Sequence, residues 1–269
     1  MDRFPFGKNW EEFLERYFSQ ERVEQAKRSL LEFLELPTLE GLYSLDIGCG
    51  SGLFSLAAYE LGASKIISFD IDPFSVRCCQ RLWGMKGNPK NWEVMEGDIL
   101  NEAFVSKLEP ADIVYSWGVL HHTGNMWKAI ERAGSLVKPG GLFYIALYNK
   151  RLERKGSRYW LKVKKRYNKS PMIVKRIMEL THIIRYTIIP QVIRLKNPFE
   201  YVKNYDKTSR GMGFYTDLKD WLGGLPYEFA TVCEVFRFCH KKLGFKLKNL
   251  KSAQGLENNE FLFVKTQGQ

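Results

Sequence analysis

The first 40 residues carry two helical patterns. Trp10, Phe13, Leu14, Tyr17 and Phe18 recur at helical spacing over 9–18, and Val23, Ala26, Leu30, Leu31, Phe33 and Leu34 do so over 20–36, where Pro37 closes the run. The pattern then changes to short apolar runs bounded by turn residues. Runs at 42–47, 65–70, 92–96, 112–117 and 142–147 read as buried strands, and the stretches 53–61, 73–84, 101–108 and 126–137 read as helices between them, with Asn125 as an N-cap. Such alternation predicts a parallel sheet with both faces covered. Near the C terminus a helix over 228–243 stops at Gly244. Phe245 to Leu250 and Phe261 to Lys265 then alternate like an antiparallel hairpin closing the sheet edge, which makes seven strands, mostly parallel.

The alternation breaks after the fifth strand. Residues 150–170 are crowded with Lys and Arg, with Tyr159, Trp160 and Tyr167 among them; 171–195 are apolar but studded with Lys175, Arg176, Arg185 and Arg194. Both read as helices inserted after that strand, with Pro190 kinking or ending one. Residues 210–228 are rich in glycine, acids and aromatics, have poor periodicity, and read as a loop. The chain therefore divides into an N-terminal helical extension (1–40), a core (41–148), a basic helical insert with a loop (149–227), and a C-terminal helix with closing strands (228–269).

Charge sharpens that division. The formal net charge is +11, but residues 149–210 hold 18 Lys and Arg against four acids, which gives +14 there and −3 elsewhere. Three readings fit the basic segment: a substrate lid with a solvated outer face, a basic amphipathic element on a membrane surface, and an RNA-binding element. No apolar stretch reaches transmembrane length without charges. Nothing after Asp2 and Arg3 resembles a secretory leader. The five cysteines, with no zinc-like spacing and no metal site implied, read as buried free thiols. Together these suggest a cytoplasmic protein, with the insert as its one route to a membrane.

The chemistry concentrates at 42–52. A strand stops at Gly48, Gly50 and Gly52, and a helix follows at once, as in a nucleotide-type βαβ unit. Glycine suits a turn that bends sharply and lets a ligand approach the backbone. The dinucleotide spacing is Gly-x-Gly-x-x-Gly, whereas here Leu53 stands where its third glycine would be, and no P-loop Lys-Ser/Thr follows. Asp46 just before the turn suits a cationic amino-acid moiety better than a pyrophosphate, which points to S-adenosylmethionine. Asp70 ends the second strand, 18 residues after Gly52, where a carboxylate can accept hydrogen bonds from ribose hydroxyls; Asp98 follows the third strand within reach of an adenine amino group. Each acid read alone could be a turn or cap residue.

Asp46-Ile-Gly-Cys-Gly-Ser-Gly52, Phe69-Asp70-Ile-Asp-Pro73, Glu96-Gly-Asp98 and Trp117-Gly-Val-Leu-His-His122 resemble the ordered motifs of class I S-adenosylmethionine-dependent methyltransferases. The resemblance covers about residues 40–148 and implies a Rossmann-like fold. It implies cofactor contacts from Asp46, Gly48, Cys49, Gly50, Gly52, Asp70, Ile71, Asp98, Ile99 and Trp117. His121, His122 and Tyr148 then face the acceptor as catalytic candidates; one histidine could be a general base, or one could shape the cofactor pocket while the other caps a helix. Residues 210–228 resemble an Arg-Gly-Met … Asp-Trp-Leu-Gly-Gly-x-Pro-x-Glu signature of bacterial members. That makes Arg210, Asp217, Asp220, Trp221 and Glu228 substrate candidates, unless Asp220 and Glu228 cap helices and Trp221 is core. The expected reaction is methyl transfer from S-adenosylmethionine to a small or lipid-linked metabolite, such as a sugar or quinol hydroxyl. An RNA or tRNA methyltransferase using 150–169, and a non-catalytic nucleotide-binding regulatory module, are the alternatives.

Overall fold

The strand β1, Tyr43–Ile47, is buried at every position and lies between two parallel neighbours, so it needs apolar or paired side chains on both faces. In this computed structural model, which describes residue 4, residues 6–205 and residues 213–266, those neighbours are β2 (Lys65–Asp70) and β4 (Ala111–Trp117). Beyond them lie β3 (Trp92–Glu96) on one side, and β5 (Val137–Tyr148), β7 (Asn258–Lys265) and β6 (Phe245–Lys251) on the other. β1 to β5 are mutually parallel, and β7 runs antiparallel to both β5 and β6. The sheet is the seven-stranded, mostly parallel one expected from the alternation. Consecutive residues feed opposite cores: Ile67 and Val114 pack in one apolar cluster, Ile66 and Ile113 in the other.

The chain fills one side of β1, then crosses back to fill the other. The carboxyl ends of β1 and β4 therefore flank a switch point, where open α/β sheets leave a crevice. Helices α1 (Gly7–Arg16) and α2 (Gln20–Leu34) precede the sheet; α3 (Leu53–Glu60), α4 (Pro73–Met85), α5 (Glu102–Val105) and α6 (Met126–Ser135) connect its strands. Pro37 was expected to close α2, but Glu35 does so two residues earlier by adopting left-handed backbone at φ 55°.

Other local expectations change under tertiary packing. Lys138-Pro-Gly-Gly, between the helix and the strand expected on either side, is a bulge inside β5, between the pairs Ala111–Val137 and Ile113–Leu142. The last helix begins at Val232, not 228, because Thr231 and Glu234 form a reciprocal capping box there. Residues 228–230 stay extended, and Ala230 bridges to Asn149. Cys233 is exposed, unlike the other four thiols.

The insert contains α7 (Ser157–Lys169), α8 (Met172–Ile183), a π turn (Ile184–Ile188), α9 (Ile189–Ile193) and α10 (Pro198–Lys203). Pro190 does not end the helical run, which continues to Ile193. The wider π turn before it takes up the missing N–H and the crowding of the preceding carbonyls. The stretch read as a loop contains a helix, α11 (Phe214–Gly223): Leu218 and Leu222, four residues apart, bury against Trp160, Tyr167 and Tyr227 in a third cluster. Helix α12 (Val232–Arg237) continues through a π turn to Lys242 and leads into β6.

Candidate functional site

The glycine turn is held in place from three directions. The Gly48 and Cys49 amides both donate to the Phe69 carbonyl oxygen, at 2.7 and 3.1 Å. At Gly48, φ is +76° and an added Cβ would meet the Val119 side chain at 2.4 Å. At Gly50 the indole of Trp10 in α1 lies so close that a Cβ would sit 2.9 Å from its Nε1. Gly52 has a different task. Its Cβ would strike the Cys79 backbone at 2.7 Å, so it permits α3 to pack on α4 and stands off the cavity wall.

Asp46 lies behind the turn at the end of a buried relay. Trp92 Nε1 donates to Ser68 Oγ at 2.9 Å, Ser68 to Ser55 Oγ at 2.8 Å, and Ser55 to Asp46 Oδ2 at 2.5 Å. Burial pushes the Asp46 carboxyl up to about 7, against the Ser55 hydrogen bond and with help from the nearby Asp70 charge. Asp70 accepts from the Gly50 amide at 3.1 Å and the Asp72 amide at 2.9 Å, and burial lifts it to about 6. No cation figures among the groups acting on Asp46. A buried and a half-buried carboxylate without a counter-charge among the described residues, beside a backbone cradle that a Cβ at Gly48 or Gly50 would fill, fit a ligand carrying both an ammonium and ribose hydroxyls. Asp98 accepts from the Leu100 amide at 2.8 Å, and Ile99 is buried beside it. Asp46, Gly48, Cys49, Gly50, Asp70, Ile71, Asp98, Ile99 and Trp117 all face one cavity of about 2060 Å³. S-adenosylmethionine is therefore compatible with these residues: the turn and Asp46 can hold the amino-acid end, Asp70 the ribose, and Asp98 with Ile99 the base.

The same cavity continues past the β4 end to His121, His122 and Tyr148. Their rings pack together, with His121 centred 4.1 Å from Tyr148 and 4.4 Å from His122. His122 Nδ1 lies 2.5 Å from the Pro226 carbonyl oxygen, so that nitrogen carries the proton and Nε2 is the free acceptor. Burial holds His121 well below the ordinary histidine range and His122 down to about 3. Burial thus favours the neutral, hydrogen-bonding form of both rings. Nε2 of His121, the Tyr115 hydroxyl and Asn258 Oδ1 are buried without a partner among the described residues, and all three residues line the cavity. Orphaned polar atoms along a cavity wall are what a bound ligand would satisfy.

Of the substrate candidates, Asp217, Asp220 and Trp221 line the cavity. Asp217 accepts from the Tyr205 hydroxyl at 2.5 Å, and Asp220 from the Asn9 side-chain amide. Glu228 is not on the wall: its Oε2 accepts from the Met126 amide at 3.0 Å and caps α6. That capping role had been expected of Asn125, whose side chain makes no such bond. Arg210 lies outside the described residues.

Two features of the site, Lys164 and Glu260, escaped the sequence reading. Lys164 was counted with the basic surface, yet it is fully buried, donates to the Trp221 carbonyl, and sits 4.6 and 4.8 Å from the Trp221 and Tyr227 rings. Burial lowers it to about 7, although Asp220 draws it upward. Its spacing from Trp160 and Tyr167 marks the inner face of α7, a signal that the charge pattern obscured. Glu260, carried in by β7, accepts from Trp117 Nε1 at 3.1 Å and from the Tyr144 hydroxyl, and no local pattern could place it there. Phe6 and Trp10 of the N-terminal segment roof the cavity, and Phe6 packs 4.8 Å from the His122 ring.

Known proteins can be set beside this geometry. The ubiquinone biosynthesis O-methyltransferase of Methylobacterium nodulans is 35% identical over 112 residues, covering 42% of this chain and 43% of that one. The ribosomal protein L11 methyltransferase of Vibrio campbellii is 34% identical over 111 residues, covering 41% and 35%. The match thus spans less than half the length of these curated relatives. Among solved structures, magnesium protoporphyrin IX methyltransferase from Synechocystis, with bound S-adenosylhomocysteine, aligns at TM-score 0.56 and 15% identity over 96% of this chain and 94% of that one. At that identity the likeness concerns the fold. A family model described as a methyltransferase domain matches residues 39–199, the stretch that carries the glycine turn, the strand-end acids and the histidine pair. Through that match, over more than half of its length, the chain belongs to the class I methyltransferase family, whose cofactor is S-adenosylmethionine.

Proposed function

We propose that this protein methylates a hydroxyl of a small or lipid-linked metabolite, of the quinol or sugar type. The observation that carries this reading is the single continuous cavity. At about 2060 Å³ it exceeds the roughly 300–1,000 Å³ of an ordinary small-ligand pocket, so a cofactor in the glycine half leaves room for a sizeable acceptor. The acceptor half is walled by Tyr148, Trp160, Tyr186, Phe214 and Trp221, surfaces suited to a flat or apolar molecule. A relative named for ubiquinone biosynthesis supports a quinol-type acceptor.

When bound, S-adenosylmethionine supplies a methyl group on a sulfonium, activated for displacement. The chain's own residues then have mainly to position and desolvate. The glycine turn, Asp46, Asp70 and Asp98 fix one end, and the aromatic walls exclude water around the acceptor. His122 Nε2 is the acceptor atom for a substrate hydroxyl, whereas His121 accepts from the Tyr148 amide at Nδ1, at 3.4 Å, so its Nε2 carries the proton and offers a donor. With pKa values held so low, either ring orients the hydroxyl and neither holds its proton, so the reading favours an acidic acceptor, such as a phenol, that gives its proton to bulk water on binding and meets the methyl group as the oxyanion.

The test is calorimetric titration with S-adenosylhomocysteine, with NAD in a parallel cell, followed by methyl transfer assays on hydroxylated quinols, sugars and RNA. Binding of S-adenosylhomocysteine alone and turnover on a quinol or sugar are the expected results. Binding of NAD alone would overturn the cofactor reading, and turnover only on RNA would overturn the acceptor.

A further inference from the structure

The helical run α8, π turn and α9 buries polar groups and exposes aliphatic ones. On its inward face Glu179, Thr187 and Gln191 are buried, the latter two at 6% and 8% exposure, and Met178 and Ile183 pack half-buried on the third apolar cluster. Thr187 and its neighbours His182 and Tyr186 line the cavity from this side, and Glu179 is bound by the Tyr167 hydroxyl and Arg176 at 2.7 and 2.9 Å. Its outward face is aliphatic. Ile173, Ile177, Leu180, Ile184, Ile188 and Val192 are all exposed, from 76% at Ile173 down to 37% at Ile188. These positions advance by steps of three and four that run slightly ahead of the 3.6-residue turn, and the wider π turn takes up the excess, so the stripe stays on one side. An aliphatic stripe of this length on a helix whose other face already meets the protein implies a partner.

Charge selects among partners. Lys175, Arg176, Arg185, Arg194, Lys196 and Lys203 lie along the same segment, and the acids there are Glu179, which is buried and bonded, and Glu200. A second copy docking on this stripe about a two-fold axis would bring these like charges together. Anionic headgroups would complement them while acyl chains cover the aliphatic stripe. No helix among the described residues is long and apolar enough to cross a membrane, so the element would lie in the interface plane.

We propose that the outer face of α8 to α9 docks on an anionic lipid surface, with the inner face of the same helices forming the cavity wall nearest the bilayer. An acceptor reaching the cavity from the lipid would then pass this wall, a consequence that rests on the methyl-transfer reading above; the docking itself does not.

The experiment is co-sedimentation of the whole protein with vesicles of phosphatidylcholine alone and of phosphatidylcholine with phosphatidylglycerol, at low and high salt. We expect salt-sensitive binding to the anionic vesicles, reduced about tenfold or more in I177Q/L180Q/I184Q and in R185Q/R194Q. All these side chains are exposed and off the cavity wall, so S-adenosylhomocysteine binding, measured on the same samples, should be unchanged. No binding of the wild type to anionic vesicles, or equal binding by the variants, would overturn the proposal. So would sedimentation velocity showing a dimer that I177Q/L180Q/I184Q converts to monomer. Vesicle binding without S-adenosylhomocysteine binding would uphold the docking and sink the cofactor reading instead.

Discussion

The two ends of the cavity are built by different means. The cofactor end is assembled from contiguous strand-to-helix turns, where backbone amides, glycines and carboxylates lie within a few residues of one another. The end proposed for the acceptor draws Tyr148 from β5, Trp221 from α11 and His122 from the β4 end, with Lys164 of α7 buried against Trp221 and off the wall, and aromatic packing holds it. A geometry fixed by backbone hydrogen bonds tolerates little change, whereas one made of side-chain packing can be remodelled for different acceptors. The cofactor end should therefore fail sharply on single substitutions, and the acceptor end should absorb them without disturbing cofactor affinity.

The hardest blow to that contrast is Gly48→Val. Left-handed backbone and a clash with Val119 should together cost roughly 2–4 kcal/mol of stability and abolish S-adenosylhomocysteine binding, read by thermal denaturation and calorimetry. A variant that binds normally would show that the turn is not the organising element. Next, Asp70→Ala should weaken S-adenosylhomocysteine binding by roughly 1–3 kcal/mol, and unchanged affinity would remove the ribose assignment.

At the other end, Lys164→Met should leave that affinity within about twofold and raise stability by about 1 kcal/mol near pH 6. The sign follows from linkage. Lys164 has a folded pKa of about 7 against an ordinary 10.5, so the unfolded chain binds the extra proton between those values. Wild-type stability therefore rises with pH across that window, and the advantage of the methionine variant should shrink; denaturant melts at several pH values would measure it. An advantage that grows with pH would mean that the lysine is not the buried charge described.

The smallest effect is on binding itself. Asp46 and Asp70 are protonated in the folded protein up to about 7 and about 6, and an ammonium favours their ionised forms. Affinity for S-adenosylhomocysteine should rise severalfold between about pH 5.5 and pH 7.5, with proton release on binding visible as a buffer-dependent calorimetric heat. Flat affinity would indicate that neither carboxylate meets the ammonium or the ribose.

The sequence by itself determined the parallel core and the glycine turn with its strand-end acids, because both rest on local rules. Apolar runs of strand length, glycines at 48 and 50, and acids at strand ends can be read within a few residues of each position. The tertiary structure alone decided the rest. Lys164 is buried because Trp221 and Tyr227 fold over it, Glu228 caps α6 across a sequence gap of 102 residues, and Glu260 meets Trp117 across 143. Residues 214–223 coil into a helix because Leu218 and Leu222 find Trp160 to pack against, although their own periodicity is weak. The aliphatic stripe of α8 and α9 could be seen in the sequence, but not which way it faced. Orientation depends on what occupies the other side of the helix, and here the cavity takes His182, Tyr186 and Thr187 and the Tyr167 hydroxyl takes Glu179, which leaves the aliphatic stripe outward.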